Sequence, residues 1–182
     1  MIRIALLLWA ALMLAMPATA QVGVAPPSGF IVAATQGQTS VTGTTTGANL
    51  AALRIPAGSM GRNGHIEVKC LWTYSNSANV KTTSVQFSQT SGSGGSFIAG
   101  NLAVTTTASA QTLTIIRNNN ATNSQTAFAP NPSTPFGSTA SASLTAAIDT
   151  TADSFVNING QLAVSTDTLT LVHAYAVVFP AN

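Results

Sequence analysis

Few side chains in this chain are of types and spacings that do chemistry. His65, Glu67 and Lys69 stand at i, i+2 and i+4. On a strand they share one face, about 7 Å apart per step. That pattern fits a binding face or two ligands of a metal site, and equally a solvated face on which opposite charges coexist. A metal site needs three or four converging ligands, and the local pattern supplies two. Asp149 and Asp153 flank Thr150-Thr151-Ala152. A calcium loop would carry more carboxylates, so the stretch reads as a plain turn. Glycosidase chemistry asks for two carboxyl groups about 5–10 Å apart across a cleft, and the chain has 4 acidic residues in all. No Gly-x-Ser-x-Gly elbow accompanies its 2 histidines. The single Cys70 lies in an apolar strand face, where a free cysteine behaves as a small buried hydrophobe. His173 reads as a hydrogen-bonded interior or interface histidine. The sequence therefore implies no enzyme and no cofactor.

Charge excludes a further class. Charged residues make up 5% of the chain and the net charge is +2, against roughly a quarter charged in an ordinary domain. Arg54, Arg62, Lys69, Lys81 and Arg117 are scattered, whereas nucleic-acid binding needs a patch that neutralises several phosphates. Apolar residues still reach 46%, so the chain can build a core. Its polarity comes from Thr, Ser, Asn and Gln.

The first twenty residues are laid out differently. Arg3 precedes an apolar run from Ile4 to Met16, Pro17 breaks it, and Ala18-Thr19-Ala20 is a small-x-small cleavage pattern. This is the plan of a secretory signal peptide, and the run is too short for the roughly twenty residues that span a bilayer. The chain divides into a signal peptide (1–20), a flexible Gly/Pro/Thr-rich leader (21–47) and a β-domain (48–182). Within the leader Phe30-Ile31-Val32 can form an edge strand. The membrane enters only through export, and the expected location is periplasmic or extracellular.

The β-domain shows the strand period throughout. Ile66, Val68, Cys70, Trp72 and Tyr74 alternate with His65, Glu67, Lys69 and Thr73, and Leu71 is the apolar exception on the second face. Further strands are expected at 81–90, 101–106, 111–117, 140–148 and 154–158, with Asn159-Gly160 as a hairpin turn. In the closing strand, Thr168–Phe179, strict alternation puts Leu169, Leu171, His173, Tyr175, Val177 and Phe179 on one face. Val172, Ala174, Ala176 and Val178 fall on the other, where they form a candidate oligomer interface. Many short strands with turn signals between them indicate an all-β fold, a single jelly-roll-like sandwich. The long stretch 118–138 holds Phe128 and Phe136, candidate partner contacts together with His65, Glu67 and Lys69.

Several stretches resemble bacteriophage virion structural modules, the β-sandwiches of tail- and capsid-associated proteins. They are Arg54–Gly64, Leu71–Thr82, Ala121–Gln125, Asp149–Thr151, Asn159–Ala163 and Asp167–Leu171, and the likeness covers about Gln38 to Phe179. It implies a non-enzymatic building block that works as a symmetric homo-oligomer, here expected to be a trimer, against a neighbouring virion protein. The signal peptide departs from that pattern, as does the apolar segment from Phe128 to Phe136. An exported adhesin or glycan-binding sandwich is the alternative. It would need an accessible Trp or Tyr, whereas Trp72 and Tyr74 face inward.

Overall fold

A computed structural model describes residues 29–92, 97–127 and 142–181. The signal peptide, the start of the leader, Phe128 and Phe136 lie outside the described residues. The strands are β1 (Phe30–Ala34), β2 (Thr39–Thr42), β3 (Ala48–Ile55), β4 (His65–Tyr74), β5 (Lys81–Ser88), β6 (Phe97–Val104), β7 (Ser109–Asn118), β8 (Gln125–Ala127), β9 (Leu144–Ala146), β10 (Ser154–Leu162) and β11 (Thr168–Phe179). The described residues contain no helix.

Among the described residues two antiparallel sheets pack face to face. One is seven-stranded, in the order β1-β11-β4-β7-β8-β9 with β2 also on β11, and the other is four-stranded, β3-β10-β5-β6. β2, β3, β4 and β5 pair in turn with β11, β10, β7 and β6. This long hairpin is rolled so that β11 also meets β4 and β10 also meets β5, which is the jelly-roll connection. β8 and β9 widen the larger sheet. β1 and β2 lie end to end along β11, so the ordered sheet begins at Phe30, inside the segment read from composition as a leader.

β4 behaves as its period demands, with Ile66, Val68, Cys70, Trp72 and Tyr74 buried. They face Val85 and Phe87 of β5 and Val156, Ile158 and Leu162 of β10 across a common core. The Trp72 indole N–H donates to Thr112 Oγ1 at 3.1 Å, which satisfies its one polar atom.

Two expectations fail here. Asn159-Gly160 is no hairpin turn but lies inside β10. A Cβ on Gly160 would stand 2.8 Å from Leu169 Cδ2 and 3.0 Å from Leu50 Cδ1, so the glycine permits a close approach of the two sheets. The second concerns β11. Its register against β4 shifts between Leu171 and His173, leaving Val172 as an extra residue. A bulge of one residue reverses the side-chain phase beyond it. Leu169 and Leu171 before the bulge, and Ala174, Ala176 and Val178 after it, all point into the core and are 0% exposed. The assignment of Ala174, Ala176 and Val178 to an oligomer interface is therefore corrected: they pack within the sandwich. Of that candidate group Val172 alone is exposed, at 37%.

Thr35 holds the bulge. Its Oγ1 accepts from the Ala174 amide at 3.0 Å and lies 3.2 Å from His173 Nδ1, while its own amide donates to the Ala174 carbonyl at 2.9 Å. Thr35→Val should cost about 1–3 kcal/mol, the penalty for a buried donor left without a partner. Thr35→Ser should stay near wild type. Chemical denaturation midpoints check both, and equal midpoints for the Val and Ser variants would remove this role.

Candidate functional site

The bulge decides what the large sheet shows to its surroundings. Beyond it, His173, Tyr175, Val177 and Phe179 of β11 point outward. They stand beside Leu71, Lys69, Glu67 and His65 of β4. These in turn neighbour Gln111, Leu113, Ile115 and Arg117 of β7. The cross-strand rows run Phe179–His65–Arg117, Val177–Glu67–Ile115, Tyr175–Lys69–Leu113 and His173–Leu71–Gln111. His65, Glu67 and Lys69 thus come together on one face, as their spacing predicts.

Their contacts are specific. The His65 ring stacks on Phe179, with centroids 4.6 Å apart and planes within 8°. Glu67 lies 3.9 Å from His65 Nε2 and 3.5 Å from Lys69 Nζ. The Lys69 ammonium sits 5.9 Å above the Tyr175 ring, within cation–π range. Around these charges Leu113, Ile115, Tyr175 and Val177 are half-buried and Leu71 is 42% exposed. Aromatic side chains are enriched in the core of contact surfaces between proteins, with polar groups at the rim. As a metal site the face is incomplete. Among the described residues no group of three His, Cys, Asp or Glu side chains gathers.

The other residues singled out by type serve locally. Asp149 Oδ1 accepts from the Thr151 amide and hydroxyl at 2.9 and 2.7 Å. Asp153 accepts from Arg54 Nε at 2.8 Å and from the Ala57 amide at 3.0 Å. These bonds hold both carboxyls below the ordinary carboxylate range, through Thr151 for Asp149 and chiefly through Arg54 for Asp153. Both acids fasten turns.

Two buried polar groupings carry no sequence signal of their own. Lys81 is 0% exposed, and its ammonium donates to Ser77 O, Ser77 Oγ, Asn79 O and Thr105 O at 2.8–3.1 Å. Ser77 Oγ donates in turn to Asp167 Oδ2 at 2.9 Å, so the ion is spent on closing the turn between β4 and β5. At the opposite end Asn118 and Gln125 are fully buried. Asn118 Nδ2 donates to Gly61 O and Thr150 Oγ1, at 2.6 and 2.9 Å. Gln125 donates to Asn118 Oδ1 and Ile148 O and accepts from the Ile148 amide, at 2.7–2.9 Å.

No family model matches the chain, and no curated protein matches it in sequence. Among solved structures the fold is similar to a chain in the structure of the infectious bursal disease virus Gx strain, at a TM-score of 0.38 and 9% identity. It is similar also to dimeric latent PorU from Porphyromonas gingivalis, at 0.37 and 5%. The matches take in 85% and 86% of this chain but only 32% and 13% of those chains. Likeness of that degree carries no argument about activity.

Cys70 tests the packing behind the face. Burial pushes its thiol from an ordinary 9.0 up to about 12, against a smaller opposing effect of the Thr112 hydrogen bond. The thiolate is the nucleophile, so native protein should resist iodoacetamide at pH 8 and react once unfolded. Holding the thiol neutral favours the native state fully below pH 9. That advantage is lost as the pH climbs toward 12. Rapid alkylation of native protein, read by intact mass, would contradict this burial.

Proposed function

We propose that the chain is a non-enzymatic structural module of phage-virion type, which works by packing against copies of itself and a neighbouring protein. The observation that carries this reading is the outer face of the seven-stranded sheet. Its half-exposed Leu71, Leu113, Ile115, Tyr175 and Val177 surround the Lys69–Glu67–His65 charges. Both signs of charge stand within a few ångströms, so a second copy offers a counter-charge to each. The low charge of the chain leaves little repulsion to oppose association, and closed symmetry is the common outcome. A trimer is the expected form. Jelly rolls serve as capsid building blocks and as lectins alike, so the fold by itself does not choose between this reading and an exported binding protein.

Light scattering after size exclusion checks the oligomer. Wild type at micromolar concentration should be a trimer, and Leu71→Asp should give a folded monomer by burying an unpaired charge in the contact. Ala176→Arg should unfold the chain rather than dissociate it, because Ala176 is in the core. A folded wild-type monomer would remove the assembly reading.

The compartment is part of the same proposal: an exported module, with a virion location as the alternative. In a Gram-negative host the mature protein should begin at Gln21, after Ala18-Thr19-Ala20. Intact mass of periplasmic and cytoplasmic fractions decides this, and full-length cytoplasmic protein alone would favour assembly inside the cell.

A further inference from the structure

We propose that the outer face of the four-stranded sheet is a binding site for a neutral oligosaccharide. A trough of about 340 Å³ runs along it, at the small end of the roughly 300–1,000 Å³ of small-ligand sites. One polar row crosses every strand of this sheet: Asn49 of β3 beside Asn159 of β10, then Ser84 of β5 and Asn101 of β6. Gln161 beside Thr82 forms the next row.

The trough has built ends. At one, the Gly92 amide donates to Asn157 Oδ1 at 2.8 Å, and Asn157 Nδ2 donates to Ser88 Oγ and Thr90 O at 3.1 and 2.8 Å. Gly92 has a φ of +75°, a conformation that favours glycine. At the other end Gln161 Nε2 donates to Thr45 O at 3.2 Å. Between them Asn49 Nδ2 donates to Asn159 Oδ1 at 3.0 Å. That bond fixes the Asn159 amide, whose own Nδ2 is buried without a hydrogen-bond partner. The groups open to a ligand are the Asn49, Ser84, Gln86 and Gln161 side chains that line the trough beside it.

The lining selects the ligand class. Carboxamides and hydroxyls both donate and accept, which matches sugar hydroxyls. Among the described residues no acid or base lines the trough, and the apolar contribution is Ala48 and glycines, so neither an ionic nor an aliphatic ligand fits. β10 is hydrogen-bonded on both edges, to β3 and β5, so a peptide cannot join it as an added strand. Among the described residues no aromatic side chain lines the trough, so the ring stacking on which tight sugar binding depends is missing. Hydrogen bonds alone should bind weakly, at about millimolar Kd.

The experiment is a two-dimensional NMR titration of ¹⁵N-labelled protein with maltotriose, cellotriose and chitotriose. At least one should give saturable shifts centred on the side-chain amides of Asn49, Asn159 and Gln161. Gln161→Ala, at an exposed position, should weaken that binding by about tenfold, the loss of one good hydrogen bond. Ser84→Tyr, which fills the trough from an outward position, should abolish it while the wild-type Tm is kept. The proposal is overturned by an absence of saturable shifts with all the sugars, or by shifts centred elsewhere. It is equally overturned by a folded Ser84→Tyr variant that still binds, or by the same shifts with a neutral blocked triglycine.

Discussion

The structure turns on one extra residue, Val172, held in place by the side chain of Thr35. β11 touches β1, β2 and β4, so its phase sets the phase of the larger sheet. Without the bulge, the alternation that buries Leu169 and Leu171 would also bury His173 and Tyr175 and would expose Ala174, Ala176 and Val178. With it, every residue past the bulge changes side. The small Ala174 and Ala176 then stand beside Cys70 and Val68 in the core, and the rings of His173, Tyr175 and Phe179 move outward. The pinning residue comes from the connection between two short strands. That is why the N-terminal segment joins the fold and is no mere tether.

A chain so poor in charge must satisfy its interior and its surface with amides and hydroxyls. Asn118 and Gln125 do so inside, tying the β7–β8 connection to the turns around Gly61 and Thr150. Lys81 and Asp167 are buried exceptions, joined through Ser77; the ammonium is surrounded by acceptors, and leaving it unpaired would be severely costly. The two outer faces therefore differ in kind. The larger sheet presents rings, aliphatic side chains and the Lys69–Glu67–His65 charges. The smaller presents Asn49, Asn159, Ser84 and Gln161. One suits packing against protein, the other hydrogen bonding to an uncharged ligand.

Period two in β4 was legible because polar and apolar residues alternate cleanly there, and it placed Trp72, Tyr74 and the His65–Lys69 row correctly. Pro56 likewise marks the end of β3 at Ile55. β11 misled because it is apolar on both sides of the alternation, so a one-residue slip leaves no mark in composition. Asn159-Gly160 carries the composition of a turn, but its glycine answers to Leu169 and Leu50 of distant strands. β2, Thr-Ser-Val-Thr, is too short and polar to stand out from loop, and it exists because β11 offers it an edge. The burial of Lys81 and the trough around Asn159 are products of tertiary placement, which no local pattern encodes.

The phase of β11 is the claim on which the contact face rests, and single-cysteine labelling measures it directly. Cysteine is placed in turn at Val172, Ala174, Ala176, Val177 and Val178, with buried Cys70 as a silent background. Each native variant is then exposed to a water-soluble maleimide, dilute and concentrated. The thiols at Val172 and Val177 should react when dilute and slow down as the protein associates, while those at Ala174, Ala176 and Val178 stay unreactive at both concentrations. Faster labelling at Ala176 than at Val177 would show that β11 keeps strict alternation, and would contradict the account.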